Sequence, residues 1–96
     1  MVVDSTLTNL FKLDCGITTN AYDGLIVHIE EQAIAALTET GITLPDNPTA
    51  EDYGLVRMYA TWLWRQRDEK DQPMPRMLQY SIHNRLFSQK AATEDA

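Results

Sequence analysis

Ninety-six residues, 44% of them apolar and 23% charged, suit one globular domain and leave no room for a second core. The net charge of −6 disfavours non-specific binding to nucleic-acid phosphates, which needs surplus cations. The single cysteine, Cys15, excludes an internal disulfide and a thiolate metal cluster, and no apolar run approaches the ~18 residues of a membrane span.

The opening Met1-Val2-Val3-Asp4-Ser5 lacks the basic and apolar regions of a secretion signal, so synthesis in the cytosol is expected. Ser5 to Leu13 reads as a short helix, with Ser5 or Thr6 as its cap, Leu7, Leu10, Phe11 and Leu13 as apolar contacts, and Gly16 beyond its end. So short a helix cannot persist alone in water and has to pack on the rest.

A second helix opens at Thr19 or Asn20, with Asp23 in its first turn, where a carboxylate suits the positive helix end. Tyr22, Leu25, Ile26, Ile29, Ala33, Ala36 and Leu37 recur at three- and four-residue spacing and form one apolar stripe. Gly41 supplies the left-handed stop, and Ile42 covers the last turn. Val27 and Ile34 lie off the stripe, either as ordinary exposed apolar residues or as a minor seam for a partner.

Pro45, Asn47 and Pro48 mark a loop. Thr49-Ala50-Glu51-Asp52 then opens a third helix, which runs to about Arg67 or Lys70. Its apolar residues nearly encircle it: Tyr53, Val56, Tyr59, Ala60 and Leu63 on one side, Leu55, Met58 and Trp62 on another. Such a helix is either central in a bundle or covered by another subunit. Gly54 within it is expected to permit a close helix approach.

Residues 68–72 form a charged connection to Pro73, and Pro75 fits the first turn of a fourth helix. Met74, Met77, Leu78, Ile82, Leu86 and Phe87 are its expected apolar face, and the polar end from Gln89 onward reads as frayed. The expected architecture is all-α: three main helices plus a short N-terminal one, as a single domain over residues 1–90 with a flexible tail over 91–96.

No residue pattern assembles an enzyme, a cofactor cradle or a metal site. His28 and His83 fall on different helices with no ligand spacing around them, and Cys15 has no recognisable activating partner. Glu30 and Glu31 are adjacent, so they point about 100° apart on a helix and form no acid–base pair. Function therefore falls to surfaces.

The aromatic and basic cluster Trp62, Trp64, Arg65 and Arg67 is the sharpest surface feature. Neighbours two apart face different ways, which leaves two arrangements. In one, Trp62 is buried and Trp64 lies at the surface with Arg65 and Arg67, ready for a partner; in the other, Trp64 packs on the N-terminal helix while the arginines cap their own helix. With Arg76 and Arg85, the residues Trp64, Arg65 and Arg67 make up the candidate partner interface.

Charge is unevenly distributed. Residues 1–48 carry Lys12 alone against seven carboxylates, whereas residues 49–96 are balanced and their cations concentrate between Arg57 and Lys90. Unlike ends suit head-to-tail contact between copies; ordinary solvated-surface variation is the plain alternative.

An acidic helix ends in Thr40-Gly41-Ile42. It is followed by a loop with prolines, the Tyr59–Arg67 stretch and Met74-Pro75-Arg76-Met77-Leu78 leading into a closing helix. In this order and length, over roughly residues 5–90, the chain resembles the small head–tail connector, or DNA-packaging, proteins of long-tailed double-stranded-DNA bacteriophages. The resemblance implies an α-helical virion protein, made in the bacterial host cytoplasm, that forms a ring, typically twelve-fold, beneath the portal vertex. Such a ring contacts the portal protein and the next neck or tail-completion protein. It extends the DNA channel, passes DNA without sequence-specific binding, and uses no catalytic residue, cofactor or membrane.

Two other readings stand beside it. One is a helix-turn-helix nucleic-acid binder with residues 75–88 as recognition helix and Arg76, Asn84, Arg85 and Gln89 as its contacts, against which the net charge weighs. The other is a small monomeric module that binds a protein partner.

Overall fold

The computed structural model describes residues 1–68 and 72–94, and these form four helices: α1 (Ser5–Cys15), α2 (Asp23–Thr40), α3 (Ala50–Gln66) and α4 (Arg76–Glu94). The all-α architecture expected from the sequence is the architecture found. The molecule is a flattened slab with extents of 47 × 30 × 19 Å.

Local chemistry sets each boundary. Asp4, rather than Ser5 or Thr6, caps α1 by accepting from the Leu7 backbone N–H at 2.8 Å; a cap of this kind stabilises a helix by about 1 kcal/mol. The second helix begins later than expected, at Asp23, and its N-cap Tyr22 offers no side-chain acceptor. Thr19 and Asn20 are used in the preceding turn: the Thr19 hydroxyl accepts from the Ala21 N–H, and the Asn20 side chain accepts from Lys12. Thr49 and Asp52 form a capping box at the start of α3, satisfying two of that helix's orphan donors. Gly16 and Gly41 end α1 and α2 at φ 68° and 113°, a left-handed conformation in which any Cβ is strained. After Gly41, the Ile42 N–H donates to the Leu37 carbonyl at 3.1 Å and the Ile42 side chain folds into the core.

The third helix is central and packs against α1, α2 and α4. Its apolar girth is thereby explained by burial on several sides within one chain. The core joins Leu7 and Phe11 of α1 to Ile26, Ile29, Ala33 and Leu37 of α2, to Leu55, Val56 and Ala60 of α3, and to Leu78 and Ile82 of α4. Burying each large side chain stabilises the fold by about 1.5–3 kcal/mol, so the two fully buried residues of α1 suffice to hold that short helix down.

Five residues expected to make core contacts are exposed instead. Leu13 is 77% exposed because it lies on the far side of α1 from Phe11. Tyr22 and Leu25 are 48% and 40% exposed: Tyr22 lies before α2, and Leu25 points about 100° away from its buried neighbour Ile26 on that helix. Met77 and Phe87 are 71% and 76% exposed, on the side of α4 away from Leu78 and Ile82. Gln89, expected in a frayed end, is an anchored part of α4: its amide accepts from the Thr43 N–H at 2.8 Å and donates to the Gly41 carbonyl at 3.0 Å. Of the expected connection, residues 69–71 lie outside the described residues, as do 95 and 96 at the far end of the expected flexible tail.

Candidate functional site

Between α3 and α4 runs a groove of about 700 Å3, floored by Leu55, Met58 and Trp62 and edged by Pro75, Met77, Arg57 and Arg65. It exists because Leu78 and Ile82 anchor one face of α4 while Gly54 on α3 contributes no side chain. The expectation that Gly54 permits a close helix approach is overturned, since a Cβ there would meet no atom within 4 Å. Gly54→Ala is therefore expected to raise stability by about 0.5–1 kcal/mol, by relieving the glycine penalty inside a helix. A urea titration measures this directly; a loss of stability would show that the groove does need the gap.

The structure separates the five candidate interface residues. Trp64 takes the second of the two expected arrangements. It packs edge-on against Phe11 of α1 and against Tyr22, each with ring centroids 5.9 Å apart. The Arg67 guanidinium covers the Trp64 ring at 3.8 Å and also meets Asp68, so this arginine is a lid on its neighbour. Arg65 is exposed at the groove edge, and Arg76 is exposed at the start of α4. Trp62 is half-buried against Tyr59 and donates its indole N–H to the Gln72 carbonyl, tying the end of α3 to the chain before Pro73.

Arg85 turns inward, contrary to its expected place in a partner interface. Its guanidinium meets the buried Asp52 carboxylate at 2.5 Å and donates to the Thr43 carbonyl at 2.9 Å. Burial pushes the Asp52 pKa up, but the Thr49 backbone N–H and Arg85 together outweigh it and hold the carboxyl below its ordinary value. Asp52 thus caps α3, and through Arg85 it ties α3 to α4 and to the loop after Gly41. Two further cross-links fix α1. The Tyr53 hydroxyl donates to Asp4 at 2.6 Å, and Arg57 holds Asp14 through two bonds of 2.6 and 2.8 Å.

Sequence reasoning missed Glu30. It is fully buried between α1 and α2, where one oxygen accepts from the Thr8 hydroxyl at 3.0 Å and the other has no partner. Burial pushes its pKa up to about 7, the Thr8 bond offsets part of this, and nearby Asp4 adds to it. A signal was present, because Ile26, Glu30, Ala33 and Leu37 share one helical stripe. His28 and His83 are exposed, and burial pushes the half-buried Cys15 thiol up, away from the reactive thiolate. Among the described residues, no group of three or more His, Cys, Asp or Glu side chains is placed to hold a metal ion.

On α4, Met77, Tyr80 and Phe87 stand 71%, 60% and 76% exposed. On the opposite half of the chain, a shallow trough of about 590 Å3 lies between the N-terminal segment and α2, lined by Val2, Val3, Val27, Ile34 and Ala35 with Glu31 at its rim. Val27 and Ile34 are half-buried there, Ile34 packing partly on the core. No helix among the described residues is long and apolar enough to cross a membrane.

No family model, curated protein or solved structure matches the chain.

Proposed function

We propose that the chain is a structural virion subunit that associates into a ring at the portal vertex of a tailed bacteriophage, joining capsid to tail and extending the DNA channel. One observation carries the reading beyond the sequence resemblance. A domain of 96 residues that leaves Met77, Tyr80 and Phe87 outward on one helix has an apolar face suited to being covered. The unlike charge of the two halves supports self-association, since a ring of identical copies requires two different, complementary patches on each one. A channel lined by the acidic half would make few counterion-releasing contacts with DNA and let it slide.

The helix-turn-helix reading has less support. Of its four proposed contacts, Arg85 and Gln89 point to Asp52 and to the Gly41–Thr43 backbone, and three large apolar side chains, Met77, Tyr80 and Phe87, share the outward side of α4. The monomeric module draws its support from the groove between α3 and α4, which has the size of a site for a partner's side chains. Electron microscopy of the protein mixed with the portal ring encoded beside it separates these readings. An added layer of matching symmetry is expected. A bare portal, with the protein still monomeric, favours the module, and a gel shift at low salt would revive the DNA-binding reading.

A further inference from the structure

The outward face of α4 is ordered as a seam. Met77, Tyr80, Asn84 and Phe87 follow three–four–three spacing, the repeat that keeps one stripe of a helix against a partner. At about 100° per residue Tyr80 and Phe87 lie roughly opposite Leu78 and Ile82, so the helix's own core cannot cover them, while Met77 and Asn84 border the groove between α3 and α4. Arg76, His83 and Lys90 flank it on one side, and α4 carries no carboxylate between residues 76 and 92.

The outward ridge of α2 is its complement. Glu31, Ala35 and Glu39 are exposed at four-residue spacing, and α2 carries four carboxylates without a lysine or arginine. Beside this ridge lies the trough lined by Val27, Ile34 and Ala35. One surface is thus convex, aromatic and cationic at its edge; the other is concave, aliphatic and anionic.

We propose that the α4 seam of one copy seats in the α1–α2 trough of the next. Tyr80 and Phe87 would enter the apolar trough, and Arg76 would approach the Glu31–Glu39 ridge. The two surfaces differ, so the contact is head-to-tail and repeats from copy to copy. Symmetric pairing of two α4 helices is disfavoured, because an antiparallel pair sets the Arg76–Lys90 flank against itself. The area also fits. Exposed aromatic side chains present on the order of 100–200 Å2 each, so the seam supplies the few hundred Å2 of apolar core found inside a standard interface of roughly 800 Å2 per partner. Arg76 adds a further indication: in the first turn of α4 its charge opposes the helix dipole, so it does not serve the helix itself.

This contact supplies the ring proposed above with its subunit interface and rests on that reading for its biological setting, but it is tested in the free chain. Tyr80→Cys and Ala35→Cys variants, each also carrying Cys15→Ser, are mixed at high concentration in a glutathione redox buffer. The ratio of mixed disulfide to the two homodimers is expected about five-fold above its statistical value, a bias of the size that a few surface contacts produce. Adding Glu31→Lys and Glu39→Lys to the Ala35→Cys chain is expected to remove that surplus, and Arg76→Glu on the other chain to restore part of it. All these positions except Cys15 are exposed, and matching thermal melts verify the fold. Statistical pairing overturns the proposal, as does a surplus of the Tyr80→Cys homodimer, which marks two-fold α4 pairing. A surplus that the glutamate reversals leave unchanged also overturns it. If the mixed disulfide forms but no layer appears on the portal, the connector reading fails and the contact stands. If the layer forms while pairing stays statistical, the contact fails and the connector reading stands.

Discussion

Replacing Arg85 with methionine is expected to destabilise the fold by about 3–5 kcal/mol, a large share of what a domain of this size possesses. The loss comes less from the arginine's own contacts than from what it leaves behind. Asp52 is almost fully buried, and without the guanidinium its charge stays out of water with only the capping box to satisfy it. The Thr43 carbonyl loses a donor as well, and the loop after Gly41 loses one of its ties to α4. Urea denaturation measures the effect, and the double variant Arg85→Met with Asp52→Asn identifies its cause. Removing the stranded charge should recover at least half of the loss, since an amide keeps an acceptor for Thr49. A double variant as unstable as the single one would show that packing, not charge, is what Arg85 supplies. The stabilisation is also tied to acid. Asp52 has a folded-state pKa below its ordinary 3.8, so its contribution is complete above that value and is lost as pH falls through the folded one.

Glu30 behaves in the opposite sense. Its folded-state pKa lies at about 7 against an ordinary 4.5, so between those values the native state holds a proton that the unfolded chain has released. Stability therefore falls as pH rises from about 4.5 to about 7 and levels off above. A shift of this size corresponds to about 3 kcal/mol lost by the time the carboxylate is ionised. Glu30→Gln keeps an acceptor for the Thr8 hydroxyl and carries no charge. It is expected to be about 2–3 kcal/mol more stable than the natural chain at pH 8 and indistinguishable from it at pH 4.5. Chemical denaturation at several pH values tests both ends. Parallel curves for the two proteins would mean that Glu30 reaches water or finds a partner in solution.

These two carboxylates mark the division between what residue order determines and what packing decides. The capping box at Thr49 and Asp52 and the glycine stops at Gly16 and Gly41 were legible because each depends on residues a few positions apart. Most of the apolar stripe of α2 and the need for α3 to be covered on several sides were legible for the same reason, since periodicity along a helix reports how much of its surface has to be covered; the packing of α1, α2 and α4 then made α3 central. The all-α architecture follows from those local facts.

The interaction surfaces did not follow. Arg76 and Arg85 look alike as residues, yet one reaches solvent and the other closes on Asp52, 33 positions away in the chain. Trp64 was as eligible for a partner as for the core until Phe11 and Tyr22 closed on it. Met77 and Phe87 share their residue type with the core but not their azimuth: once Leu78 and Ile82 anchor α4, the helix turns the others outward. By itself the sequence determined which segments are helical, where α1 and α2 stop and which half of the chain is acidic, because those properties are local or additive. Only the tertiary structure decided which polar groups are buried together and which apolar groups remain uncovered, because both depend on distant segments competing for one small core.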